Sequence, residues 1–133
     1  MTMEFNEIKF GKDGLLPVIV QEEKSGEILM LAYTNEETLR KSLSTGETYF
    51  WSRSRKKIWK KGEVSGNIQK LREVLLDCDG DTILFKVEQK GGACHKGYKS
   101  CFFRILNKNG KWKICLKKVF DEKKAYKNSS QER

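Results

Sequence analysis

Residues 76–104 hold three of the four cysteines, the only histidine and a cluster of three aspartates. Asp77, Asp79 and Asp81 alternate along the chain, and in an extended segment side chains two apart share a face. Three carboxylates on one face repel one another unless a cation sits among them, and hard divalent cations take oxygen ligands of this kind. Cys78 lies within the cluster, and an extended backbone turns its sulfur to the opposite side. Cys94 and Cys101 follow with six residues between them, and His95 adjoins the first. Thiolates suit a softer metal such as zinc.

Competing readings of these residues are specific enough to weigh. Asp77, Asp79, Asp81 and Glu88 fit positions 1, 3, 5 and 12 of a calcium-binding EF-hand loop, but the sixth position, where that loop needs glycine, is Thr82. Residues 82–89 also alternate as a strand does, where an EF-hand calls for helix. A solvated acidic turn is the other reading, since Asp and Gly favour turns. The three cysteines form no C-x-x-C pair, so they do not resemble a structural finger. Three protein ligands leave a tetrahedral zinc one open position, the arrangement of catalytic sites. His95 is open to three roles at this point: fourth ligand, general acid/base, or satisfied polar residue. Cys115, in K-W-K-I-C-L-K, reads as a core cysteine on a strand, whereas the flanks of Cys78, Cys94 and Cys101 are not core-like.

Net charge is +9 over 133 residues, and its distribution matters more than its size. Residues 53–61, R-S-R-K-K-I-W-K-K, carry six basic groups in nine and no acid. Nucleic acid, an acidic membrane surface and a small polyanionic substrate are the three partners such charge suits. Serines 52, 54 and 65, several glycines, Trp51 and Trp59 surround the run. Arginine forks and backbone N–H groups suit phosphate, and an indole face suits a purine.

The elements that must position these groups follow from pattern. Residues 1–16 read as a loop-like arm. Residues 17–33 form a hairpin about the turn at 24–26. Thr34 and Glu37 make a capping box for a short helix over 35–45, stopped by Gly46. Residues 48–53 read as a strand, the basic run as partly helical, and 82–89 as a strand ended by Gly91 and Gly92. The sequence K-N-G at 108–110 sits between two apolar stretches as a hairpin turn. The count is about seven strands and one or two short helices. The fold class is therefore α+β, mainly β, in one domain spanning 1–133, with about 118–133 a frayed basic tail. No apolar run is long enough to span a bilayer, and residues 1–7 lack the parts of a secretory signal, so the expected location is cytoplasmic.

The segment 27–104 closely resembles the phosphoribosyl-AMP cyclohydrolase family of histidine biosynthesis. The motifs that carry the likeness are L-A-Y-T-N-E-E-T-L, Y-F-W-S-R-S-R, W-K-K-G-E-V-S-G-N, D-C-D-G-D and G-A-C-H-K-G-Y-K-S-C-F-F-R, in that order. Departures are Thr34, where the family often has Met, and Val64, where a hydroxyl residue is common. The resemblance implies an intimate two-fold homodimer with one zinc per subunit, held by Cys78 of one chain and by Cys94 and Cys101 of the other. It implies magnesium at Asp77, Asp79 and Asp81. It implies a hydrolase that opens the adenine ring of phosphoribosyl-AMP between ring nitrogen one and carbon six; nothing resembling the pyrophosphohydrolase domain often fused to this one follows Arg104, so only the cyclohydrolase activity is expected. The substrate carries two phosphates, which gives the basic run a small-molecule partner in place of nucleic acid. Arg53, Arg55 and Lys61 are the expected phosphate or ribose contacts, Ser65 and Gly66 add hydrogen bonds, and Trp59 offers its indole to the base. Of the roles open to His95, general acid/base is the one taken. The rival function is a basic nucleic-acid-binding protein with structural zinc. That rival predicts binding to polynucleotide that falls steeply with salt.

Overall fold

Alternation in burial writes the central sheet. The computed structural model describes residues 4–126. In β1 (Leu16–Glu22) the side chains of Leu16, Val18 and Val20 are buried and their neighbours half-exposed. β6 (Ile83–Gln89) repeats the pattern with Ile83, Phe85 and Val87. β1 pairs antiparallel with β2 (Ile28–Thr34) through the expected hairpin. It also pairs parallel with β6, from Val18 opposite Ile83 to Glu22 opposite Val87. β5 (Gln69–Leu76) closes the sheet antiparallel to β6, so the order is β2-β1-β6-β5. A parallel pair needs a long crossover. Here everything between β2 and β6 supplies it, including both segments that carry the basic run.

That crossover begins with α1 (Glu36–Thr45). Its N-cap is Asn35, not Thr34. The Asn35 carboxamide accepts from Thr38 N at 2.8 Å, and Thr38 Oγ1 accepts from Asn35 N at 2.9 Å. Thr34 is buried as the last residue of β2, so its backbone belongs to the sheet. Glu36 and Glu37 occupy the first turn, where the helix dipole favours them, and Gly46 ends the helix left-handed at φ +77°.

The basic run is not helical. β3 (Tyr49–Ser52) and β4 (Lys57–Lys60) form an antiparallel hairpin with Phe50 opposite Trp59. Those rings lie 5.1 Å apart between centroids, and Phe50 lies 5.9 Å from Phe85 of the main sheet. Burying two aromatics is the term that decides the matter, since one fully buried Phe contributes roughly 1.5–3 kcal/mol. A helix would set the charges around its circumference and leave Trp59 no core to enter. A buried amide ladder locks this layer to the sheet. Gln69 Nε2 donates to Gln89 Oε1 at 2.8 Å, and Gln69 Oε1 accepts from Thr48 Oγ1 at 2.8 Å.

β7 (Arg104–Leu106) and β8 (Trp112–Ile114) form the hairpin expected about K-N-G, which makes eight strands among the described residues, against the expected count of about seven. Ile105, Trp112 and Ile114 are all more than half exposed. Cys115, just beyond β8, is exposed rather than core, because this hairpin stands off the main sheet. The N-terminal arm packs Phe5, Ile8 and Phe10 on the core. Of the segment read as a frayed tail, Lys118 bridges Tyr98 and α2 (Glu122–Ala125) follows; residues 127–133 lie outside the described residues. Among the described residues no helix is long and apolar enough to cross a membrane.

Candidate functional site

The aspartates converge, but by a tight turn instead of an extended run. Residues 77–82 join β5 to β6, with Gly80 N donating to Asp77 O at 3.1 Å and Asp77 N donating to Thr82 O at 3.0 Å. Asp77 Oδ1 accepts from Asp81 N at 3.0 Å and from Thr82 N at 3.3 Å. Gly80 is required at its place: its φ is +75°, and a Cβ there would stand 2.6 Å from Glu7 O. Lys9 N donates to Gly80 O at 2.7 Å, so the N-terminal arm holds the turn from behind.

The three aspartates each bring a ligand atom within 4.8 Å of the others, all exposed. Their titration reflects the crowding. Asp81 is raised above its ordinary value, first by a hydrogen bond shared with Asp77, then by desolvation and by the charges of Asp77 and Asp79. Desolvation pushes Asp77 up too. Hydrogen bonds from Asp81, Thr82 and Gly80 outweigh that and hold Asp77 low. Three carboxylates this close repel one another unless a cation sits among them, so the donor set fits a hard metal.

The cysteines divide between two places. Cys78 is exposed at the tip of the β5–β6 turn. Cys94, contrary to its polar flanks, is 3% exposed, in a small cluster with Tyr98, Phe103, half-buried Cys101 and Leu116. The loop folds on itself to make that pocket: Ala93 N donates to Lys99 O at 2.8 Å, Cys94 N to Tyr98 O at 3.0 Å and Gly97 N to Cys94 O at 3.0 Å. Tyr98 and Phe103 stack over it at 4.0 Å. Among the described residues the aspartates are the one set of three His, Cys, Asp or Glu side chains whose ligand atoms converge, so Cys78 does not meet Cys94 and Cys101 within one chain. A pair of thiols in one small cluster still fits a soft metal that takes further ligands from elsewhere.

Beside that cluster opens a cleft of about 850 Å³. Tyr33 of β2, Trp51 and Ser52 of β3, Arg53 and Ser54 of the hairpin turn, Trp59 of β4, and His95, Cys101 and Arg104 line it. Arg53 holds its guanidinium 3.8 Å from the Tyr33 ring centroid. His95 is half-buried, with Nδ1 shielded from solvent. Flat aromatic faces, two guanidiniums and an imidazole beside thiols are a setting for a planar, anionic ligand.

Of the residues expected in the site from sequence, Arg53, Trp59, His95 and Cys101 line this cleft. Arg55, Ser65 and Gly66 are not among its lining residues; Arg55 N instead donates to Ser52 Oγ, and Ser65 Oγ accepts from Asn67 N in the next turn. Lys61 departs furthest from expectation. It is 1% exposed and donates its Nζ to Ala93 O, inside the protein. Sequence reasoning missed Tyr33 and Arg104. Tyr33 alternates with buried Ala32 and Thr34 on β2, a signal that it faces away from the core, and Arg104 closes the last quoted motif.

Comparison with known proteins bears on this geometry. The profile of the phosphoribosyl-AMP cyclohydrolase family matches residues 30–103. The chain is 52% identical over 126 residues to a phosphoribosyl-AMP cyclohydrolase of Pelotomaculum thermopropionicum, covering 95% of this chain and 98% of that protein. It is 54% identical over 125 residues to the one from Methanothrix thermoacetophila, covering 94% and 98%. With that of Chlorobium chlorochromatii the identity is 50% over 123 residues, covering 92% and 90%.

Proposed function

The chain belongs to the phosphoribosyl-AMP cyclohydrolase family, and on that premise we propose that it hydrolyses the adenine ring of phosphoribosyl-AMP in histidine biosynthesis. The observation that carries this reading is the single cleft in which aromatic faces, Arg53, Arg104, His95 and Cys101 meet. Trp51, Trp59 and Tyr33 offer flat apolar walls for a purine. Arg53 and Arg104 supply guanidiniums for the phosphates of a doubly phosphorylated nucleotide.

Water adds to carbon six of the ring, the bond from that carbon to ring nitrogen one breaks, and the nitrogen takes the proton. The exocyclic amino nitrogen remains on carbon six as a carboxamide, so no ammonia leaves. Ribosylation of ring nitrogen one is what makes carbon six electrophilic. His95 is the group here whose unperturbed pKa lies near neutrality, and it moves the proton between water and the departing ring nitrogen. Cys94 and Cys101 hold zinc, joined by Cys78 of a second copy; Asp77, Asp79 and Asp81 hold magnesium. Bound there, zinc supplies the Lewis acidity that makes water a competent nucleophile at neutral pH.

The homodimer this requires has support in exposure. Val74, Leu75 and Leu76 of the edge strand β5 are exposed apolar residues leading straight to Cys78, and Phe102, Ile105, Trp112 and Ile114 form a second uncovered apolar set. Covering both by a second copy removes that area from water. We place the enzyme in the cytoplasm. The test is an assay on purified protein with zinc and magnesium supplied. Ring opening at constant ammonia is the expected result. Ammonia release, or no ring opening together with salt-sensitive binding to long RNA or DNA, refutes the reading.

A further inference from the structure

Lys61 follows β4 in the interior. At 1% exposure, its ammonium carries a desolvation penalty that an apolar side chain of similar volume would avoid. Its stem runs past Trp59, with Nζ 5.9 Å from that ring centroid, and its backbone N donates to Thr48 O at 3.1 Å. The ammonium itself donates to Ala93 O. Ala93 is fully buried and immediately precedes Cys94 and His95.

The loop over 91–101 has no strand or helix to stiffen it. At its far end Ser100 Oγ donates to Ile28 O at 2.7 Å and Cys101 N donates to Leu29 O at 2.7 Å, which fastens Cys101 to β2. At its near end the bond from Lys61 fastens Ala93 to the β3–β4 hairpin. A cation on the Ala93 carbonyl also polarises the Ala93–Cys94 peptide, whose N–H donates onward to Tyr98 O at 3.0 Å. The two walls of the cleft are thereby joined: one carries Trp51, Arg53 and Trp59, the other His95 and Cys101.

We infer that Lys61 is a positioning residue, whose buried ammonium ties the β3–β4 wall to the loop carrying Cys94 and His95 and sets where those side chains stand. It touches no phosphate. Only the kinetic part of this rests on the cyclohydrolase reading.

Lys61→Met preserves length and burial and removes the charged donor. Two measurements on the metal-loaded protein test it: amide hydrogen exchange across 91–101, with β1 and β6 as internal reference, and steady-state kinetics on phosphoribosyl-AMP. The expected result is exchange at least about tenfold faster in 91–101 with β1 and β6 unchanged. Turnover falls on the order of 10²-fold, as for a small misplacement of catalytic groups, with KM changed by less than about threefold. Unchanged exchange in the loop overturns the inference, as does a raised KM at preserved kcat, the signature of a lost substrate contact. Should Lys61→Met not fold, Lys61→Gln, which keeps a neutral donor, is read by the same criteria. Failure of both to fold assigns Lys61 to the stability of the whole chain and overturns the inference. If the wild type does not open the ring, the functional reading fails while the exchange comparison still decides the tie.

Discussion

His95 and Arg53 meet in one cleft from very different positions, one half-buried on a folded loop and the other exposed at a hairpin turn. General acid/base catalysis contributes roughly 10²–10⁴ in rate. On the proposed mechanism, His95→Ala loses turnover in that range and keeps whatever zinc content the wild type has. Metal analysis alongside kcat checks it, and loss of zinc would make His95 a ligand instead. Arg53 presents a cation stacked on Tyr33, a pre-set geometry that loses little entropy on meeting phosphate. Removing a charged hydrogen bond costs roughly 1.5–3 kcal/mol. Arg53→Ala should raise KM about ten- to a hundredfold and change kcat less, and a KM unchanged from wild type removes Arg53 from the phosphate site.

The elements matter here chiefly through what fastens loops to strands. Lys99 reaches from the 91–101 loop to Glu22 at the end of β1, at 2.5 Å, and to Glu27 at 3.5 Å. Burial pushes the Glu22 carboxyl up, but hydrogen bonds from Lys99 and Ser25 and the Lys99 charge outweigh it, and the net position is below the ordinary 4.5. Lys99 is held above its ordinary 10.5, first by the hydrogen bond to Glu22, against desolvation. A carboxyl lowered on folding stabilises fully above its unfolded value and loses that contribution as pH falls through the folded one. A raised lysine stabilises below its unfolded value and loses its contribution only in strong base. The pair thus holds across neutrality and fails in acid. Glu22→Gln should lower stability at pH 7 by about 0.5–1 kcal/mol, since Lys99 is partly exposed and screened. In acid, once pH has fallen through the lowered Glu22 value, the variant and wild type should converge. Urea midpoints at pH 7 and in acid measure this, and an equal difference at both shows that the effect is not ionic.

At the scale of the whole molecule, the proposed second copy is what would complete the zinc site. Cys78 and the Cys94–Cys101 pair occupy separate places in one chain, so a zinc site needing all three must draw on two chains. Neither Cys78→Ala nor Cys94→Ala homodimers would then contain a complete site. A heterodimer of the two would contain one, from intact Cys78 on one chain and intact Cys94 with Cys101 on the other. Random reassociation of equal amounts should restore about a quarter of wild-type activity and zinc content. Activity that stays at the level of the separate variants, with dimers exchanged, places the zinc within one chain.

Residue types and local order made part of the architecture around the candidate site legible. The clustering of the aspartates, the β1–β2 hairpin and the left-handed stop at Gly46 are written within a few neighbouring residues, because turn chemistry and side-chain alternation act over that range, whereas the aspartates, expected on an extended run, meet instead through a tight turn. The helix boundary slipped by one residue, from Thr34 to Asn35, because both side chains can cap and only the reach of β2 chooses between them. The basic run declared its charge but not its conformation. Phe50 and Phe85, far apart in sequence, pull Trp59 into the core and make the run a hairpin. Lys61 is the sharpest case: by sequence it is one more cation among six, and only a carbonyl 32 residues away, brought close by the parallel β1–β6 crossover and the loop beyond it, takes it out of solvent. Charge is a property of the residue, whereas burial is decided by contacts between distant parts of the chain.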